Sequence, residues 1–335
     1  RVAMHFQRAT QDKSNQSLSN TQITLALGGN AHKGLIHEKL SVATQAEISK
    51  NFSLFVAQGF SGHAVDRMTL STRQNPFLSR DTFTDSFLPK SDNAITAQMR
   101  FKLSGNFSLD LTTSTGDNDL YTDAENLLNT PSNTPAVTVS VARAGLNFDR
   151  KNTTLRIEQG LRHEQGAVLG ARFADNNQAT TVYSAFDGIW RPAPLWQLQG
   201  RLTVGLTQSD ASLFPQFSND GLSLVTTQAS FAIKRKKLFG DHDSLWLGVS
   251  QPMQIEHGGI EMLLPTDFDQ STRRLTFTPT RTSLAAAKRR LDIEASYRLL
   301  SAKYGAIDLN VIHQTFGGFD MSSQTTALVR SKFSF

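Results

Sequence analysis

The chain has 335 residues, with 34 Lys and Arg, 29 Asp and Glu, a net charge of +5 and no cysteine. The lack of cysteine excludes a disulfide scaffold, a thiolate metal site and a cysteine nucleophile. Apolar residues are 39 % of the total, which is low for a packed soluble enzyme, and no apolar run approaches the ~18 residues of a membrane helix. Because the basic residues are scattered, nucleic acid is not predicted as a partner.

The first twenty residues show no clear hydrophobic period. The start, Arg1-Val2-Ala3-Met4, does not have the pattern of a signal peptide. We therefore expect the chain to be a mature or cut-down piece of a longer protein. Residues 1–20 are predicted to be an N-terminal linker or a segment in a lumen, and residues 21–335 are predicted to be one β-barrel.

From about residue 21 onward, apolar and polar residues alternate with a period of two. In residues 95–104, Ile95, Met99 and Phe101 share one face and Gln98 and Arg100 share the other, which is the pattern of a strand with two different faces. Short turn sequences such as residues 104–106 separate consecutive segments. Fourteen strands are predicted, near residues 21–29, 40–48, 52–60, 94–104, 106–115, 136–149, 152–164, 180–190, 195–208, 222–234, 244–256, 285–300, 303–316 and 324–335.

The strand lengths favour a membrane barrel. Segments of about 9–14 residues exceed the usual ~5–6 of soluble strands and fit tilted strands that cross a bilayer. A soluble β-sandwich also alternates and remains the alternative. The apolar phase slips near Ala142, which predicts a bulge. A twelve-stranded barrel remains open if residues 21–48 lie partly in the lumen.

The connections and the aromatic residues support this interpretation. Short connections, such as residues 104–106, alternate with long ones, such as residues 61–93 and 257–284, as in outer-membrane barrels. Aromatic residues beside the short turns predict an interface girdle, formed by Phe52, Phe107, Phe148, Trp190, Trp196 and Tyr304.

The polar alternates predict the lining of a pore with a mildly cationic character. Structural ion pairing between the same residues is the alternative. The predicted lumen-lining residues are Arg100, Lys102, Asp110, Arg156, Glu158, Arg162, Arg201, Lys234, Arg290, Asp292, Glu294 and Arg298.

The sequence offers no clear catalytic or metal site. Hydrolysis needs a nucleophile, a base and an orienting group within reach. The most suggestive group, Asp241-His242-Asp243, is interpreted as a charged turn, and a barrel enzyme is kept as a minor alternative. Neither a glycine loop for phosphate nor a metal-binding spacing is found, so no cofactor and no catalytic residue are predicted.

Residues 245–335 resemble the C-terminal, autotransporter-like barrel of Gram-negative subtilisin-like (S8-type) serine peptidases. The end of the chain, Phe333 and Phe335, resembles the aromatic-ended signal read by the barrel assembly machinery. The shared landmarks are Ser250-Gln251-Pro252, Gly258-Gly259, Leu264-Pro265, Ser283-Leu284-Ala285 and Arg290-Leu291-Asp292-Ile293-Glu294-Ala295.

The resemblance implies a translocator and anchor domain in the outer membrane of a Gram-negative bacterium, whose protease passenger is absent from this chain. A stand-alone porin, or a barrel that supports a larger surface complex, is the alternative. The expected partners are outer-membrane lipid and lipopolysaccharide, the barrel assembly machinery, and its own passenger or another surface protein. No triad carries over to these residues, so the barrel itself is not expected to be an enzyme.

Overall fold

The structure of the chain, a computed structural model, describes residues 2–8, 20–29, 38–70, 77, 86–89, 94–117, 137–170, 178–209, 222–301, 305–315 and 322–332. It is an all-β fold with one short helix, α1 (Gly62–Thr69). The strands are β1 (Val2–Arg8), β2 (Asn20–Gly29), β3 (Glu38–Ser49), β4 (Phe52–Gln58), β5 (Ile95–Lys102), β6 (Phe107–Asp117), β7 (Thr138–Arg150), β8 (Thr153–Gln165), β9 (Gln178–Ala193), β10 (Trp196–Ser209), β11 (Leu222–Lys236), β12 (Asp243–His257), β13 (Gly259–Asp269), β14 (Arg274–Ser283), β15 (Asp292–Ser301), β16 (Gly305–Gln314) and β17 (Gln324–Lys332).

Fifteen of these strands form one antiparallel sheet, in which neighbours follow the order of the chain from β1 to β12 and then from β15 to β17. This arrangement is the wall of a transmembrane β-barrel, as the sequence predicted. Among the described strands, the remaining two, β13 and β14, pair with each other and with no other strand. They form a hairpin between β12 and β15, within the stretch that was predicted to be a long loop.

Two predicted segments differ from the structure at their ends. Residues Val2–Arg8 form a strand that pairs with β2, so the described part of the N-terminal segment lies in the wall, not in the lumen, and brings the sheet to fifteen strands instead of fourteen. The strand predicted for residues 285–300 begins only at Asp292. The residues before it run along β12, where the amide of Ala286 donates to the carbonyl of Ile255 at 3.2 Å.

The bulge predicted near Ala142 is wrong. Strand β7 pairs with β6 and with β8 without a register shift. Val139 and Val141 are buried on the same face as Arg143, and Ala142 faces the other way. The apparent slip arises because the inner face of β7 is apolar at Val139 and Val141, where Phe87 and Leu88 pack on it, and polar from Arg143 onward.

Burial in the wall is inverted relative to a soluble protein. Ile157 is 56 % exposed, whereas its neighbours Arg156 and Glu158 are 1 % and 0 % exposed. Leu202 and Phe186 are also about half exposed on the same outer face. A soluble protein buries its large apolar side chains and leaves charges in water, so this wall faces hydrocarbon outside and a polar lumen inside. No helix among the described residues is long and apolar enough to cross a membrane.

Aromatic residues mark the short-turn end of this outer face. Phe52 stacks on Phe101 at 4.9 Å between ring centroids, and Phe107 lies 5.0 Å from Phe148. Trp190 is 53 % exposed. The guanidinium of Arg235 lies over the ring of Trp196, 4.9 Å from the ring centroid. Such amphipathic rings suit the headgroup level of a bilayer. Tyr304, Phe333 and Phe335 lie outside the described residues.

Candidate functional site

The lumen contains a segment of the chain that folds inward between β4 and β5. The described residues between these strands, 59–70, 77, 86–89 and 94, are called the inner segment. It begins with α1, whose N-terminus is capped by Ser61, since the Ser61 hydroxyl accepts the amide of Ala64 at 3.3 Å. Its two ends are tied together by the amide of Gly59, which donates to the carbonyl of Ala94 at 3.1 Å.

Apolar side chains of the inner segment reach three parts of the wall. Phe60 and Val65 pack with Ala43, Phe55 and Ala57 of β3 and β4. Farther along, Phe87 and Leu88 pack with an apolar patch of the inner wall made of Val137, Val139, Val141, Ala167 and Tyr183. The aromatic rings of Phe87 and Tyr183 are stacked, with 4.5 Å between their centroids.

The third contact lies on the other side of the barrel. Phe77 is completely buried against Ala232 and Trp246 of β11 and β12, with its ring 5.9 Å from that of Trp246 in an edge arrangement. The inner segment therefore crosses the lumen from β4 to β12. A segment that crosses in this way narrows the open cross-section of the lumen.

Inward-facing glycines make room for these rings. A Cβ at Gly248 would lie 2.7 Å from Cζ of Phe77, and a Cβ at Gly205 would lie 2.7 Å from Cζ of Phe87. Both distances are well inside van der Waals contact. At each of these two wall positions, the space that a Cβ would need is therefore occupied by a ring of the inner segment.

Three wall arginines also hold the inner segment. Arg100 donates to the carbonyl of Thr69 at 3.3 Å, at the C-terminal end of α1, where the helix dipole favours a cation. Arg162 donates to the carbonyl of Phe87 at 2.8 Å. Arg143 forms a buried ion pair with Asp66 of α1, and both side chains are almost completely inaccessible to solvent.

These arginines belong to a network that runs across β5 to β10. Asp110 accepts from Arg100 at 2.7 Å and from Arg156 at 2.6 Å. Arg156 also donates to Glu158 at 2.9 Å, and Arg143 lies 3.5 Å from the same carboxylate. Because nearly every charge faces an opposite one, this part of the inner wall is close to neutral, and its charges brace the wall and the inner segment.

The remaining predicted lumen residues lie at other positions of the inner face. Arg162 pairs with Glu164 at 2.7 Å, and Arg201 pairs with Asp187 at 2.7 Å. On β15 and β16, Arg298 pairs with Asp308 at 2.5 Å, and Glu294 is 2 % exposed. Arg290 precedes β15 and bonds Asp292 at 2.8 Å. Lys102 lies at the end of β5 and is exposed, and Lys234 is half-buried on β11.

Sequence reasoning missed several members of the network. Asp66 belongs to a stretch that was interpreted as a loop, and its partner Arg143 was obscured by the predicted bulge. Glu164 and Asp187 are buried and paired. Glu164 continues the alternation of β8 one step beyond Arg162, whereas Asp187 lies on β9, where no lumen residue was predicted. The uninterrupted alternation Val139, Val141, Arg143 was the signal that identifies Arg143 as inward-facing.

The Asp241-His242-Asp243 group is a structural turn. The carboxylate of Asp243 accepts the backbone amides of Leu238, Phe239 and Gly240 at 2.7–3.1 Å and the hydroxyl of Tyr297 at 2.8 Å. A hydrogen bond from Lys237, together with its positive charge, holds the pKa of Asp241 below its ordinary value of 3.8. Among the described residues, no three His, Asp or Glu side chains gather as a metal site.

Comparison with solved structures agrees with this fold. The chain is similar to the outer-membrane-expressed OmpT of Vibrio cholerae, with 9 % identity over 97 % of this chain and 90 % of that chain, and a TM-score of 0.50. It also aligns with a mutant of the porin of Rh. blastica, with 14 % identity over 99 % of this chain and 89 % of that chain, and a TM-score of 0.43. This chain is an outer-membrane β-barrel. No family model and no curated protein matches the sequence.

In such a barrel the short turns face the periplasm and the long loops face the outside. The inner segment, which connects β4 to β5, therefore enters the lumen from the extracellular side. The Asp241–Asp243 turn belongs to the periplasmic end of the wall, as do the aromatic residues Phe52, Phe107, Phe148, Trp190 and Trp196.

Proposed function

We propose that this outer-membrane barrel is a channel for small hydrophilic solutes, narrowed by the inner segment. The observation that carries the proposal is the path of that segment from Phe60, beside β4, to Phe77, beside β12. An eight-stranded barrel is filled by its own side chains, whereas barrels of sixteen strands leave an aqueous passage. A wall of fifteen strands encloses more space than its own side chains fill, and a crossing segment sets the size of the passage.

The test is conductance in planar bilayers combined with the swelling of liposomes in sugars of graded size. The purified barrel should conduct and should exclude the larger sugars. Removing two rings in F77A/F87A should raise the conductance and the size limit, because both side chains are buried in the lumen. The matched control is F239A, since Phe239 is an aromatic residue in a turn and is 84 % exposed. Folded barrel that conducts nothing would contradict the channel.

A second function, the translocator of an N-terminal passenger, is supported by the resemblance of residues 245–335 to autotransporter-like barrels of subtilisin-like peptidases. The test is to fuse a folded, epitope-tagged protein ahead of Arg1 and to treat whole cells with protease. A translocator exposes the tag at the cell surface. A tag that stays protected while the barrel reaches the outer membrane would argue against this role.

A further inference from the structure

Three cations at the periplasmic mouth of the lumen form no ion pair with a carboxylate of the described residues, unlike the arginines in the middle of the inner wall. Arg191 lies near the end of β9, and Lys234 and Lys236 lie at the end of β11. These three residues are called the mouth cluster. They continue the inward-facing phase of their strands, in which Ile189 and Ala232 are buried two positions earlier.

The strand register brings the mouth cluster together. Gln197 of β10 lies opposite Lys234, and β10 separates β9 from β11, so the amide of Gln197 is located between the two basic strands. The charges of Arg191, Lys236 and Arg298 are close enough to repel that of Lys234. Arg298 is already paired with Asp308 at 2.5 Å, which offsets its charge.

The mouth cluster itself has no such offset. Within the part of the chain that the structure describes, no carboxylate forms an ion pair with Arg191, Lys234 or Lys236. The Lys234 ammonium is instead held 4.6 Å from the centroid of the Trp246 ring, a cation–π contact that fixes its position without neutralising it. The same indole packs on Phe77 of the inner segment, so the site adjoins the constriction.

We infer that the mouth cluster binds small multivalent anions whose phosphate or carboxylate oxygens reach the lumen from the periplasmic side. The Arg191 guanidinium offers a planar pair of donors that fits either oxyanion, and Lys234 and Lys236 add point charges. An anion that binds here relieves the repulsion among the three cations. The inference deepens the proposed function, since conduction carries a bound anion onward, but binding itself does not depend on an open passage.

The first test measures ion selectivity. In a KCl gradient across a planar bilayer, the reversal potential gives the ratio of chloride to potassium permeability. A charged cleft raises the local concentration of counter-ions by on the order of tenfold or more, so the wild-type barrel should prefer chloride. The variant R191Q/K234Q/K236Q should lose most of that preference. Pyrophosphate or citrate added on the periplasmic side should reduce the wild-type current and leave that of the variant unchanged.

The matched control is K50Q/R150Q/K151Q. It removes three positive charges from exposed residues of the periplasmic turns and strand ends, away from the lumen. Equal loss of selectivity in the control and in the mouth variant would overturn the inference, because the effect would then follow net charge alone.

The second test keeps the inference separate from conduction. Binding of pyrophosphate and of citrate to the folded barrel in detergent is measured by titration calorimetry, with the mouth variant and the control alongside. Saturable binding that is lost only in the mouth variant supports the site even if the barrel does not conduct. Binding of pyrophosphate alone assigns the site to phosphates, and binding of citrate alone assigns it to carboxylates. The absence of saturable binding by the wild-type barrel to both probes overturns the inference, whatever the conductance.

Discussion

The middle of the inner wall and the mouth cluster are built from similar basic residues but differ in their partners. In the middle, Arg143 and Arg156 are buried and face carboxylates of the wall or of α1. At the mouth, Arg191 and Lys234 face no carboxylate of the described chain. A buried charge is stable only when it is paired, whereas a charge near water keeps its hydration and acts on ions over several ångströms. Depth in the lumen thus separates charges that hold the structure together from the mouth charges, for which we propose an action on anions.

Removing one partner from the middle should give the largest effect. The substitution D66A removes the carboxylate that pairs with the buried Arg143, whose guanidinium also lies 3.5 Å from Glu158. Breaking a buried pair in this way costs about 3–5 kcal/mol, so the inner segment should loosen. Hydrogen exchange of the α1 amides, measured by mass spectrometry, should accelerate by about two orders of magnitude or more.

The control for that experiment is D241A, which breaks the exposed pair with Lys237 and should leave exchange in α1 unchanged. Exchange in D66A at the wild-type rate would show that the ion pair does not hold the inner segment.

The contrast between the outer and inner faces predicts the next effect. Leu202 lies near the middle of β10 on the outer face and is 51 % exposed, so L202R places a charge in hydrocarbon and should lower the free energy of unfolding by about 2–4 kcal/mol. The matched variant Q208R lies on the same face near the extracellular end and should cost about 0–1 kcal/mol. Urea unfolding in lipid vesicles measures both. Equal costs would contradict a bilayer-facing outer surface.

The fit between the wall and the inner segment can be tested with one methyl group. G248A places a Cβ 2.7 Å from Cζ of Phe77, and overpacking of this kind costs about 1–3 kcal/mol. G200A is the control, because its Cβ would lie 3.6 Å from the nearest atom, the carbonyl oxygen of Ser230, which is ordinary contact. Urea unfolding should distinguish the two variants, and indistinguishable curves would mean that Phe77 does not occupy the position described.

The smallest expected effect is the pH dependence of the stability that the Lys237–Asp241 pair contributes to the folded barrel. The folded-state pKa of Asp241 lies below its ordinary value of 3.8, so its contribution to stability is present above pH 3.8 and is lost as the pH falls through the folded-state pKa. Unfolding of the wild type and of D241N, compared from pH 6 to pH 3, should show a small difference in stability that shrinks toward the acid end. A difference that grows toward acid would reverse the assigned sign.

The wall could be predicted from the sequence, whereas the contents of the lumen could not. Alternation such as that of Ile157 between Arg156 and Glu158 depends only on neighbouring positions, and every strand predicted within the described residues is present, with shifts at the ends. The pairing of Asp66 with Arg143 joins positions 77 residues apart, and no local period signals it. The apolar stretch from Val137 to Val141 broke the expected pattern because its neighbour is Phe87 of the inner segment and not water.

The hairpin and the first strand were missed for different reasons. In Val2–Arg8 the apolar residues Val2, Met4 and Phe6 do alternate with Ala3, His5 and Gln7, but seven residues are too few to establish a period of two. In β14, Thr276 and Thr278 alternate with Phe277 and Pro279, but all of these side chains are exposed. A strand whose side chains are all exposed has no buried face for the sequence to mark, so its pairing with β13 identifies it.

The position of the inner segment in the chain also constrains the order of assembly. The segment emerges after β4, yet the wall that receives Phe77 is formed by Ala232 and Trp246, more than 150 residues later in the sequence. Contacts between such distant positions form late, because the intervening chain must first be ordered. The segment must therefore remain on the inner side of a growing sheet until β11 and β12 have paired. A barrel that closed before the segment turned inward would leave its apolar rings outside and its wall glycines facing an empty lumen.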